Sequence, residues 1–350
     1  SSRYDNGTLG STRDRVLPAG GVGGPILRDA VWFYGSGAYT DDTEANRTNL
    51  FNVRPATADP ATALPDQTSK TTEPFAQVTA APSQSLSLNG SYRYKKIDRE
   101  NDGIGATSAP TVGYTSFNKT LLLNAGATWF VSSQAFAELK YNRVREDDGL
   151  TPNEALLYQP SFDPLRPDRM GQFLSTPNLL VGGTQVPGQL VGVSSLAKND
   201  DNFRRDEVRG SFTAYGAWLG AEHELKAGFG WDENGETLDR VSNGWGDVRY
   251  STSANTCLIG GSLPAGKTPC FTAAYVGLQP PQESTGRVLS LYVQDRVTFG
   301  SRVTATVGLL ANRDEYIAGI PATGGTYDVL TFGFADQLQP RVGVSVVVDP

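Results

Sequence analysis

From Gln84 to Asp98 the chain alternates. Leu86, Leu88, Gly90, Tyr92 and Tyr94 occupy every second position, with Ser85, Ser87, Asn89, Ser91, Arg93 and Lys95 between them. Successive side chains of a strand point to opposite faces, so this segment has one apolar and one hydrophilic face. The stripe recurs at Leu121, Leu123, Ala125, Ala127 and Trp129, then at Ala135, Ala137, Leu139 and Tyr141. It returns at Val208–Trp218, Leu225–Trp231, Leu289–Val297, Val303–Ala311 and Val342–Val348. With strands at Ala30–Tyr39 and Phe75–Ala80 and a weak one near Val16–Ile26, the pattern predicts about eleven strands.

The joints between strands alternate in length. Short ones fall at Ala81-Pro82-Ser83, Ser132-Ser133, Gly220-Ala221-Glu222 and Gly300-Ser301. Polar loops span 41–72, 98–113, 147–203, 235–284 and 318–336. If the Trp32 strand runs outward, every short turn lies on one side and every long loop on the other. Loops of this length count against a compact soluble domain. Short periplasmic turns with long extracellular loops are what an outer-membrane barrel shows. The predicted fold class is therefore all-β, an antiparallel transmembrane β-barrel wall. Aromatics cluster at strand ends: Trp32, Phe33, Trp129, Trp218 and Phe299 beside the short turns, Tyr92, Tyr94, Tyr141 and Trp231 near the long loops. Two such bands match the aromatic girdles of a membrane interface.

Composition sharpens this picture. Hydrophobic residues make up only 38%, with 39 glycines, which suits a wall with one wet face. No apolar run reaches the about 18 residues a spanning helix needs. The net charge of −7 argues against nucleic acid as a partner, since that footprint is basic and clustered. Cys257 and Cys270 are the two cysteines. An oxidising compartment would close them into a small surface-loop disulfide, and two unrelated thiols is the alternative. The chain begins at Ser1 inside a polar segment and stops at Asp349-Pro350 after an apolar run, which reads as a piece of a longer protein: one partial barrel domain over 1–350.

Candidate chemistry is sparse, and no enzyme is expected. The single histidine, His223, stands beside a short turn in Glu222-His223-Glu224, where a solvated or interfacial role outweighs a place in a catalytic triad. Gly20-Gly21-Val22-Gly23-Gly24 lacks the Lys-Ser/Thr ending of a phosphate loop. Asp98-Arg99-Glu100-Asn101-Asp102-Gly103 begins like a calcium loop, but its twelfth position is Ala109; a solvated acidic loop is the default and a cation-bridged lipopolysaccharide contact the alternative. Neither metal nor cofactor is called for. Lipid-facing charges at mid-depth cost about 2–4 kcal/mol for Arg or Lys, so Arg93, Lys95, Glu138, Lys140, Asn142, Arg209, Lys226 and Asp232 are expected to face the lumen. There they would contact a plug or a passing ligand, or simply hydrate the wall.

Three ordered motifs carry a resemblance. Gly23-Gly24-Pro25-Ile26-Leu27-Arg28-Asp29, followed by Val31-Trp32-Phe33-Tyr34-Gly35-Ser36, resembles the opening hairpin of Oar-like TonB-dependent outer-membrane receptors. Leu291-Tyr292-Val293-Gln294-Asp295-Arg296-Val297-Thr298 with Thr304-Ala305-Thr306-Val307-Gly308-Leu309, and then Gln339-Pro340-Arg341-Val342-Gly343, resemble later strands of that family. The resemblance implies roughly half of a barrel of twenty-two strands with an N-terminal plug. It also implies a TonB-type energy-coupling partner acting through a missing N-terminal part, and energised passage of an unidentified bulky solute or peptide. Location in a Gram-negative outer membrane, against lipid and lipopolysaccharide, follows. The alternatives are a plug-less porin or adhesin, and a secreted soluble β-rich binding protein.

Overall fold

The computed structural model describes residues 4–5, 11–45, 47, 64–105, 108, 110–156, 172–174, 179–181, 184–186, 190–244, 246–251, 259–260, 270–275, 280–320 and 325–348. Its strands are β1 Tyr4–Asp5, β2 Thr12–Val16, β3 Ala19–Leu27, β4 Val31–Ala45, β5 Gln67–Ser83, β6 Leu86–Asp102, β7 Tyr114–Ser132 and β8 Ala135–Pro152. Four short ones follow, β9 Gln172–Leu174, β10 Leu179–Val181, β11 Thr184–Val186 and β12 Leu190–Gly192, before the long pair β13 Leu196–Trp218 and β14 Ala221–Ser242. Then come β15 Gly246–Ser251, β16 Ile259–Gly260, β17 Cys270–Tyr275, β18 Gln282–Phe299, β19 Val303–Ile320, β20 Gly325–Phe332 and β21 Leu338–Val346.

Fourteen of these form one antiparallel sheet that follows chain order, β1-β2-β4-β5-β6-β7-β8-β13-β14-β18-β19-β20, with β3 beside β4 and β21 beside β19. β2 and β3 occupy one stave, since Val16 faces Asp41 and Ala19 faces Ala38 in unbroken register. Pro18 between them has no N–H to give, and its carbonyl accepts from Tyr39 N at 2.9 Å. β20 and β21 likewise share the outer edge of β19. The staves from β2 to β21 therefore number eleven. No described strand joins the two edges, so the sheet is open.

Every short turn lies at one end: Arg28–Ala30, Gln84–Ser85, Ser133–Gln134, Leu219–Gly220 and Gly300–Arg302. The staves run much further than the apolar stripes. β13 has 23 residues and β14 has 22, where a membrane crossing needs about 9–11. Segments expected as loop, 41–45, 67–72, 196–203, 235–242 and 325–332, are therefore strand. Their polar residues sit on both faces, which removes the period-two signal. Ion pairs bind neighbouring staves instead: Arg205 to Asp232 at 2.6 Å, Arg240 to Asp201 at 2.6 Å, and Lys198 to Asp239.

Two smaller sheets lie at the long-loop end. One pairs β10 with β11, and the other runs β12-β9-β15-β17-β16, joining segments of the loops after β8 and β14. Among the described residues a conventional core is almost lacking. The buried hydrophobic residues described are Leu64, Ile104, Val112, Val193 and Ala221, and the first four belong to this loop end. A soluble sandwich of this length would bury the inner face of its sheets. Among the described residues no second sheet packs on either face of this one.

Candidate functional site

Directly paired residues of an antiparallel sheet share a face. One row runs Ala80–Leu88–Ala127–Leu139–Gly210–Phe229–Leu291–Ala311, and the next runs Val78–Gly90–Ala125–Tyr141–Val208–Trp231–Leu289. This face is apolar over many staves and uncovered: Leu139 is 50% exposed, Leu291 45% and Val307 54%. An exposed apolar surface spanning most of a sheet needs an apolar neighbour.

The opposite face is polar. The register places Arg93, Lys95, Glu138, Lys140, Asn142, Arg209, Lys226 and Asp232 on it together. Glu138, Lys140, Arg209, Lys226 and Asp232 help line a groove of about 550 Å³, joined by Arg205, Glu207, Ser290 and Tyr292. The charges are knitted together. Lys140 lies 3.5 Å from Glu138, Ser211 Oγ donates to Glu138 at 3.4 Å, and Arg205 bridges Asp232 and Glu207 at 2.6 and 3.3 Å. Arg209 pairs with Glu207, and Glu73 receives Lys95 at 2.9 Å and Arg93 at 3.8 Å. Such a surface is hydrated and orients polar groups without concentrating one sign of charge.

Of the nine aromatic candidates, the seven besides Trp32 and Phe33 lie on the apolar face: Tyr92, Tyr94, Trp129, Tyr141, Trp218, Trp231 and Phe299. Phe33 joins them through Val78, but Trp32 does not. Neighbours in a strand point oppositely, and Trp32 pairs with Thr79, which puts it on the polar side with Asn89 and Lys140. This corrects the expectation that both belong to one band.

His223 is also on the apolar face. Its ring stacks on Trp218 with centroids 4.4 Å apart, and Nδ1 lies 2.8 Å from Asp295 Oδ2. The side chain is 8% exposed, so it is covered by the tryptophan and not solvated. Cys257 lies outside the described residues, and the expected pairing with Cys270 lies there with it.

At the long-loop end the segments beside the strand ends form a hydrogen-bonded platform. Asn243, fully buried, donates to Glu154 O at 2.8 Å and accepts from Leu156 N at 2.6 Å. Asn153 Nδ2 donates to Asn101 Oδ1 at 2.9 Å, and Arg47 donates to Ile104 O. The acidic segment Asp98–Gly103 is mostly strand, and Asp102 accepts from Ser116 Oγ at 3.0 Å and Gln67 Nε2 at 3.4 Å. Its ligand-like spacing is thus spent on strand pairing. Sequence spacing alone gave no sign of Asn243, because its partners are 87 and 89 residues away.

With this geometry in view, solved structures decide the architecture. A ferric citrate transporter, FecA, in its unliganded form superposes with a TM-score of 0.51 over 99% of this chain and 41% of its own, at 11% identity. The ferripyoverdine receptor of the Pseudomonas aeruginosa outer membrane, bound to ferripyoverdine, gives 0.53 over 98% and 39%, at 12% identity. The fold is that of a TonB-dependent outer-membrane receptor barrel. An FpvAI–pyocin S2 complex gives 0.52 over 98% and 40%, at 12% identity. The chain thus spans about two-fifths of the length of the solved receptors it resembles. No protein-family model and no curated protein sequence matches it.

Proposed function

We propose that the chain forms wall of an outer-membrane transporter of the TonB-dependent kind, through which a bulky solute or peptide passes with energy supplied from outside the wall. The observation that carries this reading is the division of one sheet into an uncovered apolar face and a charged face. The apolar face lies against lipid. The polar face, with Arg93, Lys95, Glu138, Lys140, Asn142, Arg209, Lys226 and Asp232, borders the lumen and meets a plug or a ligand. The aromatics of the apolar face sit at the two membrane interfaces. The staves that continue past the membrane carry the loop platform outward, where ligand is first met.

The fold neighbours include a ferric citrate transporter, a ferripyoverdine receptor bound to ferripyoverdine and an FpvAI–pyocin S2 complex. A TonB-type protein is the coupling partner, and lipid and lipopolysaccharide surround the wall. Nothing in the described site performs covalent chemistry.

The test is uptake by cells that carry or lack the gene, with and without the coupling protein. Loss of growth on, or accumulation of, a chelate or peptide in both deletions supports the proposal. Steady ion conductance of the purified protein in a planar bilayer would instead identify a plug-less porin.

A further inference from the structure

Trp32, Tyr34 and Phe75 stand on the charged face, where an interface girdle does not account for them. Trp32 and Tyr34 alternate along β4, and Phe75 on β5 pairs with Ser36 on one side and Arg93 on the other. Trp32 is 40% exposed and Tyr34 48%. The Tyr34 and Phe75 ring centroids are 6.0 Å apart, with planes at 53°.

The glycine run of β3 explains how Tyr34 is held. Gly21 and Gly23 pair with Ser36 and Tyr34, so they share this face. A Cβ on Gly21 would come 2.8 Å from Tyr34 Oη, and one on Gly23 3.0 Å from Tyr34 Cδ2. The tyrosine therefore lies across the β3 backbone, over space that side chains would otherwise fill. Tyr34, Ser36, Phe75, Glu73 and Arg93 line a groove of about 510 Å³ beside it. Its polar edge is ion-paired: Glu73 receives Lys95 at 2.9 Å and Arg93 at 3.8 Å. The Arg93 side chain is 57% exposed, and its guanidinium has further N–H groups to donate.

We propose that this groove is a stacking subsite for a sugar unit of the ligand. A sugar ring has C–H-rich faces and a rim of hydroxyls, each able to donate and accept. An aromatic face takes the first, and a guanidinium beside a carboxylate takes the second. A wholly apolar ligand would instead desolvate Glu73 and Arg93 without replacing their hydrogen bonds with water. Trp32, roughly 7 Å further along β4 by the rise of two strand residues, offers the next ring of an oligosaccharide a second face. The inference rests on the lumen-side assignment proposed above, and it narrows the solute to one that carries sugar.

The experiment titrates full-length protein in detergent with maltohexaose, cellohexaose and chitohexaose, read by isothermal calorimetry. Saturable binding of at least one, weakened roughly tenfold by Tyr34→Ala and kept by Tyr34→Phe, is expected. Gly21→Val, which displaces the tyrosine from β3 without removing it, is expected to weaken binding as well. Absence of binding by all three sugars overturns the proposal. So does a Tyr34→Ala titration identical with wild type, or displacement of bound sugar by an equal concentration of ferric citrate, which would mark a chelate site. Heat-modifiable gel migration is read in parallel. If migration does not shift on heating, the barrel reading itself fails; if it does and no sugar binds, only this inference falls.

Discussion

At the turn between β13 and β14, Leu219 has φ 56° and Gly220 φ 78°. Two consecutive left-handed residues make the turn whose twist matches a hairpin, and Asn-Gly is the pair it favours. Leucine pays for its Cβ in that region, and Leu219 is 93% exposed, so no packing compensates. Leu219→Asn is expected to stabilise the hairpin by about 1 kcal/mol, read as a higher urea midpoint from the fluorescence of neighbouring Trp218. A second residue-scale case lies at the far end of β4. Arg13 Nε donates to Asp42 at 2.7 Å, and this hydrogen bond holds the Asp42 carboxyl below its ordinary range. A carboxyl depressed in the folded state stabilises at pH above its unfolded value, and that contribution disappears as pH falls through the folded one. Amide protection of Thr12–Val16 should therefore drop on acidification below the usual carboxylate range, and Arg13→Gln should remove that pH dependence.

At the scale of elements, the proposed function divides the staves into a spanning half and a projecting half held by different forces. The spanning half is written in period-two stripes, which is why Leu86–Tyr94, Val208–Trp218 and Leu289–Val297 could be read from the chain directly. The projecting half is not, because Asp200, Asp201, Asn202 and their partners on β14 are wet on both faces and leave no alternation. Its strands show only in the cross-strand charge pairs, such as Arg240 with Asp201, which need the register to be recognised. The common face of Lys140, Arg209 and Asp232 was legible, since each follows its own stave's phase. The sidedness of Trp32 was also legible in principle, because Phe33 next to it must point away. What spacing could not reveal is the platform, whose hydrogen bonding depends on Asn243. Asn243→Ala strips Leu156 N and Glu154 O of their partner, and the expected cost is about 1–3 kcal/mol. Hydrogen exchange should localise that loss to 153–156 and 193–195 and leave β7 and β8 protected; uniform loss along the staves would mean the platform is part of the wall's own stability.

For the molecule as a whole, stability cannot come from a core, because the described residues scarcely have one. The backbone ladder does part of that work, and on the proposed reading lipid does the rest. In hydrocarbon every backbone group needs an internal partner, and a sheet supplies them to all but its edges. On the proposed reading, odd positions along Ala135–Tyr141 meet lipid, and Lys140 and its neighbours meet water. Single nitroxide labels at Ala135 through Asn142, in a cysteine-free background of the full-length protein in bilayers, test it directly. Collisions with oxygen should peak at 135, 137, 139 and 141, and collisions with a water-soluble nickel chelate at 136, 138, 140 and 142. Uniform chelate access, or the reversed phase, would contradict the account.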